Sequence, residues 1–208
     1  MNKLLHVVAT PRCSESRTLR VSKTFLENFT AKYPGCEIEE LNLFTEKLPA
    51  LTVKKIEGKY VLLSGNDLSG DLKDSWRGII SVIERFLSAD AYLISTPMWN
   101  FGIPYPLKQY IDIILQPKYL FAYTPKGPEG LVKDKKMLII TSRGGDYSTD
   151  DFRKFDLQEP YLRTVFGFVG ITNISFINAQ PMDAMGPEVK DKKIKEAQAR
   201  AKKIAKDF

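Results

Sequence analysis

The chain has 208 residues, 43% of them hydrophobic and 27% charged, with a formal net charge of +6. That length suits one domain spanning residues 1–208 and able to bury roughly 70% of the surface its unfolded form exposes; the composition excludes disorder, collagen and coiled-coil arrays. The longest uncharged stretches, 91–107 and 165–182, carry Asn, Gly, Ser, Thr and Pro, so no membrane span is expected, and the apolar run 4–9 is too short for a signal-peptide core, which implies a cytoplasmic protein.

Residues 3–9 form a short apolar run that reads as a first strand, followed by a helix over 16–32 with Val21, Phe25, Leu26 and Phe29 at helical intervals. Residues 37–43 alternate imperfectly, as a strand nearer a sheet edge does. The stretch 44–70, with Pro49, Gly58, Gly65 and Gly70, reads as a long connection in which a short helix has no clear position. A helical stripe over 71–89 leads to a buried strand at 91–95, a Pro-rich turn over 96–106 and a helix carrying Leu107, Tyr110, Ile111, Ile114 and Leu115. The aromatic run 119–123 reads as a projecting strand or loop, and 137–141 as a fourth core strand. A helix over 160–169, capped by Gly170, precedes a fifth strand at 171–177.

The terminal stretch 188–208 holds eight Lys/Arg against four Asp/Glu, so it carries +4 of the net charge. Its Ile194, Ala197, Ala201, Ile204, Ala205 and Phe208 recur at helical spacing, which makes the basic residues the wet side of an amphipathic helix and argues against a nucleic-acid partner. Strands and helices in alternation predict an α/β fold, a doubly wound five-stranded parallel sheet of order 2-1-3-4-5 with helices on both faces.

Such sheets bind ligands beyond the carboxyl ends of the strands, at the switch between strands one and three. Three loops meet there. The first, Thr10-Pro11-Arg12-Cys13-Ser14-Glu15-Ser16-Arg17-Thr18, gathers four hydroxyls and two arginines at a helix start, where N–H groups and the helix dipole favour a phosphate. Plain N-capping by Ser14 or Ser16 uses the same residues without a ligand. The second, from Thr96 to Pro106, concentrates Pro97, Met98, Trp99, Asn100, Phe101 and Gly102, either a wall for a planar heteroaromatic ligand or a rigid aromatic loop packed on itself. The third, Thr141-Ser142-Arg143-Gly144-Gly145-Asp146-Tyr147, brings consecutive glycines to a strand end, for close approach of a ligand or for a turn of positive φ. Together they describe a flavin mononucleotide site. No Walker A or GxGxxG pattern occurs, Cys13 and Cys36 have no CxxC spacing, and a single histidine, His6, leaves no Ser-His-Asp triad or two-His metal site, so no metal is expected.

Pro97-Met98-Trp99-Asn100-Phe101, Lys126-Gly127-Pro128-Glu129-Gly130 and Thr141-Ser142-Arg143-Gly144-Gly145 resemble three ordered motifs of the FMN-dependent NADH:quinone oxidoreductases of the azoreductase type, which have a flavodoxin-like fold. The resemblance implies FMN as cofactor, NADH or NADPH as donor, a quinone or azo compound as acceptor, and a two-electron ping-pong cycle in which the flavin carries the chemistry and no side chain is the catalyst. It places Thr10, Ser16, Arg17 and Thr18 at the phosphate, Pro97 through Gly102 beside the ring, and Ser142, Arg143, Gly144 and Gly145 at the isoalloxazine, with Arg143 adding positive field or forming a salt bridge elsewhere. It also implies a homodimer, for which Tyr119, Phe121 and Tyr123 offer an interface or substrate lid, the plainer alternative being that they pack onto their own domain; Tyr147 falls in a variable segment that bears on substrate preference. A flavodoxin-type electron carrier is the alternative, and such carriers are expected to be acidic where this chain is basic.

Overall fold

A computed structural model describes all 208 residues. The chain runs β1 (Lys3–Val8), a 3-10 turn (Cys13–Glu15), α1 (Arg17–Lys32), β2 (Glu37–Asn42), α2 (Val53–Leu63), α3 (Gly70–Leu87), β3 (Ala91–Pro97), α4 (Tyr105–Ile114), β4 (Phe121–Thr124), β5 (Gly127–Gly130), β6 (Lys136–Ser142), α5 (Asp150–Arg153), α6 (Gln158–Phe168), β7 (Asn173–Ala179) and α7 (Gly186–Asp207). The five long strands pair in parallel in the order β2-β1-β3-β6-β7, which is the predicted 2-1-3-4-5 order, and β4 and β5 form a separate antiparallel hairpin.

Period-two alternation along the buried strands feeds two cores. Leu5, Val7, Tyr92, Ile94, Met137 and Ile139 face α3, α4 and α6, while Leu4, Ala91, Leu93, Leu138 and Ile140 face α1 and α7. On the second face Phe208 meets the rings of Phe25 at 5.2 Å and Phe29 at 6.0 Å, and the Tyr33 hydroxyl donates to its carbonyl at 2.8 Å. The amphipathic reading of the terminal helix therefore holds: Ile194, Ala197, Ala201 and Ala205 are buried. No helix is long and apolar enough to cross a membrane.

Three predicted boundaries change. The fifth strand begins at Asn173, because Gly170 adopts φ +104° and the Ile171 N–H returns to the Phe166 carbonyl, which makes Ile171 the apolar residue of a helix C-cap. The connection over 44–70 contains α2, whose outer face exposes Val53 and Tyr60 and so carries no clean stripe. Its Gly58 is required by contact: a Cβ there lies 2.2 Å from Nε1 of buried Trp76, which itself donates to the Lys55 carbonyl. The run 119–123 becomes one arm of the hairpin rather than a lone projection.

Candidate functional site

The carboxyl ends of β1, β3 and β6 lie side by side, tied by Ala9 N–H to the Ser95 carbonyl at 2.8 Å and Met98 N–H to the Ser142 carbonyl at 2.9 Å. Between them opens a cleft of about 250 Å³ lined by Thr10, Ser16, Arg17, Pro97, Met98, Trp99, Ser142, Gly144 and Asp183, among others. All three predicted loops contribute to it.

At the first loop, Ser16 is the N-cap of α1 and its hydroxyl accepts the Leu19 N–H, while Thr10 donates to Ser16. Capping is therefore real, yet it leaves the N–H groups of Arg17 and Thr18 without an acceptor in the chain, at the positive end of a sixteen-residue helix. Thr18 is fully buried behind the cleft, its hydroxyl 2.8 Å from that of Ser142. Arg17 extends over the cleft to Asp183, 2.6 Å away, and this pair holds the Asp183 carboxyl below its ordinary range.

At the second loop, Trp99 and Gly102 exchange backbone hydrogen bonds, and Asn100 and Phe101 between them adopt φ +47° and +68°. Positive φ at both central residues is the signature of a tight primed turn, costing of order 1–3 kcal/mol for each non-glycine residue held there. The strain aims the free Asn100 amide and the half-exposed Phe101 ring outward, while Trp99 packs edge-on against Phe44 at 5.9 Å.

At the third loop, neither Gly144 nor Gly145 has positive φ, so the turn explanation for these glycines does not apply. A Cβ at either meets nothing nearer than Asp183 at 3.4 Å or the Tyr147 ring at 3.6 Å. Both N–H groups lack acceptors within the chain. The fold itself does not demand glycine here; what the two residues preserve is bare backbone, Gly144 facing the cleft and Gly145 the chamber beside it.

Of the two roles left open for Arg143, the structure shows the salt bridge. Its guanidinium turns inward, 2% exposed, pairing with Asp156 at 2.7 Å and donating from Nε to Thr141. Asp156 also accepts the N–H groups of Gln158 and Glu159 at the start of α6, and from that same turn Gln158 donates to the Pro97 carbonyl and the Leu157 N–H to the Phe101 carbonyl. One buried knot thus holds the second and third loops together. The Asp156-x-x-Glu159 spacing ahead of an apolar run is a helix-start signal, though it says nothing of the pairing with Arg143.

The hairpin aromatics divide between the two readings offered for them. Phe121 is buried against Phe168 of its own chain at 4.9 Å and Tyr119 packs on the core, so of the three only Tyr123 is freely exposed, and none lines the cleft. Tyr147 instead faces Phe101, ring centres 6.5 Å apart, across a chamber beyond Gly145 that also takes in Phe152 and Phe155, residues the sequence reading passed over.

A family model described as flavodoxin-like fold matches residues 2–205. FMN-dependent NADH:quinone oxidoreductases of Coprothermobacter proteolyticus and Nitratidesulfovibrio vulgaris are 37% and 34% identical, each covering 100% of both chains. The chain belongs to the family of these oxidoreductases. Solved structures place its relatives in the same shape: an azoreductase from Bacillus anthracis str. Sterne is 30% identical with a TM-score of 0.90 over 100% of both chains, and a Bacillus anthracis FMN-dependent NADH-azoreductase in complex with FMN has a TM-score of 0.84 at 30% identity over 99% of this chain. The family resemblance read from the three motifs is thereby borne out.

Proposed function

We propose that this chain is an FMN-dependent oxidoreductase that draws on NADH or NADPH and reduces quinones or aromatic azo compounds in a ping-pong cycle. The observation that carries the reading is one cleft with unclaimed N–H groups on two of its walls, that of Arg17, with Thr18 next to it, at the start of α1 and that of Gly144, with Gly145 next to it, after β6. A phosphate suits the first pair, with the hydroxyls of Thr10 and Ser16 beside it; the carbonyl-bearing edge of a flavin suits the second. Asn100 offers its amide to a ring heteroatom, and Trp99, Phe101, Met98 and Pro97 shield the ring from water. Bound FMN supplies the two-electron redox chemistry. Backbone N–H groups at its edge favour the charge that accumulates there, and no side-chain acid or base is needed for that. Pairing of two chains belongs to the same proposal, supported by exposed Tyr123 and Phe168.

The deciding experiment is titration of the protein with FMN, followed by NADH oxidation with a quinone acceptor. Saturable binding at one FMN per chain, and parallel double-reciprocal lines when donor and acceptor are varied, are expected; a flavin that stays free, or turnover no faster than free FMN gives, overturns the reading.

Asp183 is the one acidic residue lining the cleft, and it competes with a phosphate for Arg17. Asp183→Asn is expected to tighten FMN about fivefold, equivalent to about 1 kcal/mol. Riboflavin, which lacks the phosphate, is expected to bind unchanged, and fluorescence titrations of both flavins check this.

A further inference from the structure

Beyond Gly145 the cleft gives way to a chamber of about 490 Å³ whose walls are Phe101, Tyr147, Phe152, Phe155, Pro181 and Met185. Phe152 and Phe155 reach it from α5 and the turn that follows, a segment held in place because Asp156, directly behind Phe155, is locked to Arg143. Ring centres of Phe101 and Phe155 stand 5.7 Å apart, and those of Phe152 and Phe155 6.4 Å. These rings are exposed, 56% for Phe152, 42% for Phe155 and 48% for Phe101, so the chamber is an open apolar site and not part of a core.

Its charge is as telling as its shape. Asp146 is the only ionisable carboxylate on the wall, kept ionised because the Ser148 hydroxyl and N–H both donate to it. No Lys or Arg lines the chamber; Lys154 lies over the Phe155 ring at 5.3 Å but is not among the wall residues. An anionic ligand there meets a carboxylate and no cation on the wall itself, whereas a neutral planar ring system stacks on aromatic faces on several sides. The volume falls within the range of small-molecule sites and accommodates fused rings.

Resting on the flavin-site reading above, we infer that this chamber is the acceptor subsite, that it selects uncharged fused-ring acceptors of the naphthoquinone class over sulfonated azo compounds, and that Phe152 and Phe155 determine this selectivity. Chamber and cleft adjoin along the chain: Gly144 lines the cleft and Gly145 the chamber, Asp183 the cleft and Ala184 the chamber, and one tight turn carries Trp99 on the cleft and Phe101 on the chamber, so a ring seated here lies next to whatever the glycine loop holds.

The test is calorimetric titration of the FMN-loaded protein, and in parallel of the protein without FMN, with 2-naphthol and with naphthalene-2-sulfonate, neither of which is a quinone or azo acceptor. At least tenfold preference for the neutral ring is expected, with about a tenfold loss of 2-naphthol affinity in Phe152→Ala/Phe155→Ala at unchanged FMN affinity, and a weaker sulfonate penalty in Asp146→Asn. Rates with 1,2-naphthoquinone and its 4-sulfonate are expected to follow the same order. Equal affinity for the two naphthalenes, or a double variant that binds 2-naphthol as the parent does, overturns the assignment. So does a double variant whose only change is its oligomeric state in sedimentation, which makes these rings an interface with a second copy. Failure of FMN to bind at all falls instead on the flavin reading, because the naphthol titration without FMN still reports on the chamber.

Discussion

Replacing Asp156 with alanine is expected to cost about 3–5 kcal/mol of stability, the range for stranding one partner of a buried ion pair. The Arg143 guanidinium is buried, and with Asp156 gone its nearest remaining acid is Glu159 at 3.9 Å. One of its terminal nitrogens already has no hydrogen-bond partner, so the loss of the other contact is not absorbed locally. Alanine also removes the acceptor for two N–H groups at the start of α6, and capping of that kind alone contributes about 1 kcal/mol. For a domain of this size the sum lowers Tm by about 10 °C. Asp156→Asn, which retains an acceptor but not the charge, is expected to fall between. Pairing Arg143→Met with Asp156→Leu is expected to recover much of the stability, since apolar pairs often replace buried ion pairs without loss. It is not expected to recover flavin binding, because Asp156, Leu157 and Gln158 together fix the strained turn at Asn100 and Phe101 as well as the glycine loop. Urea denaturation and FMN titration of the three variants check this, and a loss under 1 kcal/mol in Asp156→Ala refutes the account.

That knot also marks where reading the sequence runs out. The sheet and its order are legible because β1, β3 and β6 are continuous apolar runs buried on both faces, and α3 and α7 carry stripes that name their inner side. The three loops are legible because strand ends in such a sheet converge. What the loops do with their side chains is a tertiary matter. Arg143 sits amid a glycine loop and looks ready for a ligand, but its partner lies thirteen positions away on a helix start, a pairing no local pattern states. Phe121 likewise sits among aromatics that look outward in sequence, and only the return of the chain through β5 toward Val169 and Gly170 turns it inward, so tightly that a Cβ on Gly130 lies 2.2 Å from the Val169 backbone. Phe152 and Phe155 occur in a charged, turn-rich stretch with no periodicity to flag them, and the chamber exists only once the turn after α5 brings Phe155 against Phe101.

Between pH 7 and pH 5 the protein is expected to lose about 2 kcal/mol of stability through His6 alone. His6 is 3% exposed and burial pushes its pKa down from 6.5 to about 4. Its hydrogen bonds assign the tautomer: Ser22 donates to the Thr18 carbonyl, so Ser95 donates to Ser22, and the His6 Nε2–H donates to Ser95. Nδ1 then holds a bare lone pair 3.7 Å from Glu40, whose side chain is 61% exposed and whose attraction is too screened to offset the burial of a charge. In the window between 6.5 and 4 the unfolded chain takes up a proton that the folded chain refuses, so stability falls as pH falls and levels off below about 4. The carboxylates held low by partners, Asp183 beside Arg17 and Asp146 beside Ser148, contribute in the same direction, but their stabilisation is lost only on titrating below the ordinary carboxylate range. The interval from pH 7 to 5 therefore isolates the histidine. In His6→Gln, whose amide retains a donor toward Ser95, urea denaturation is expected to show this slope flattened; an undiminished slope in that variant assigns the acid sensitivity to another group.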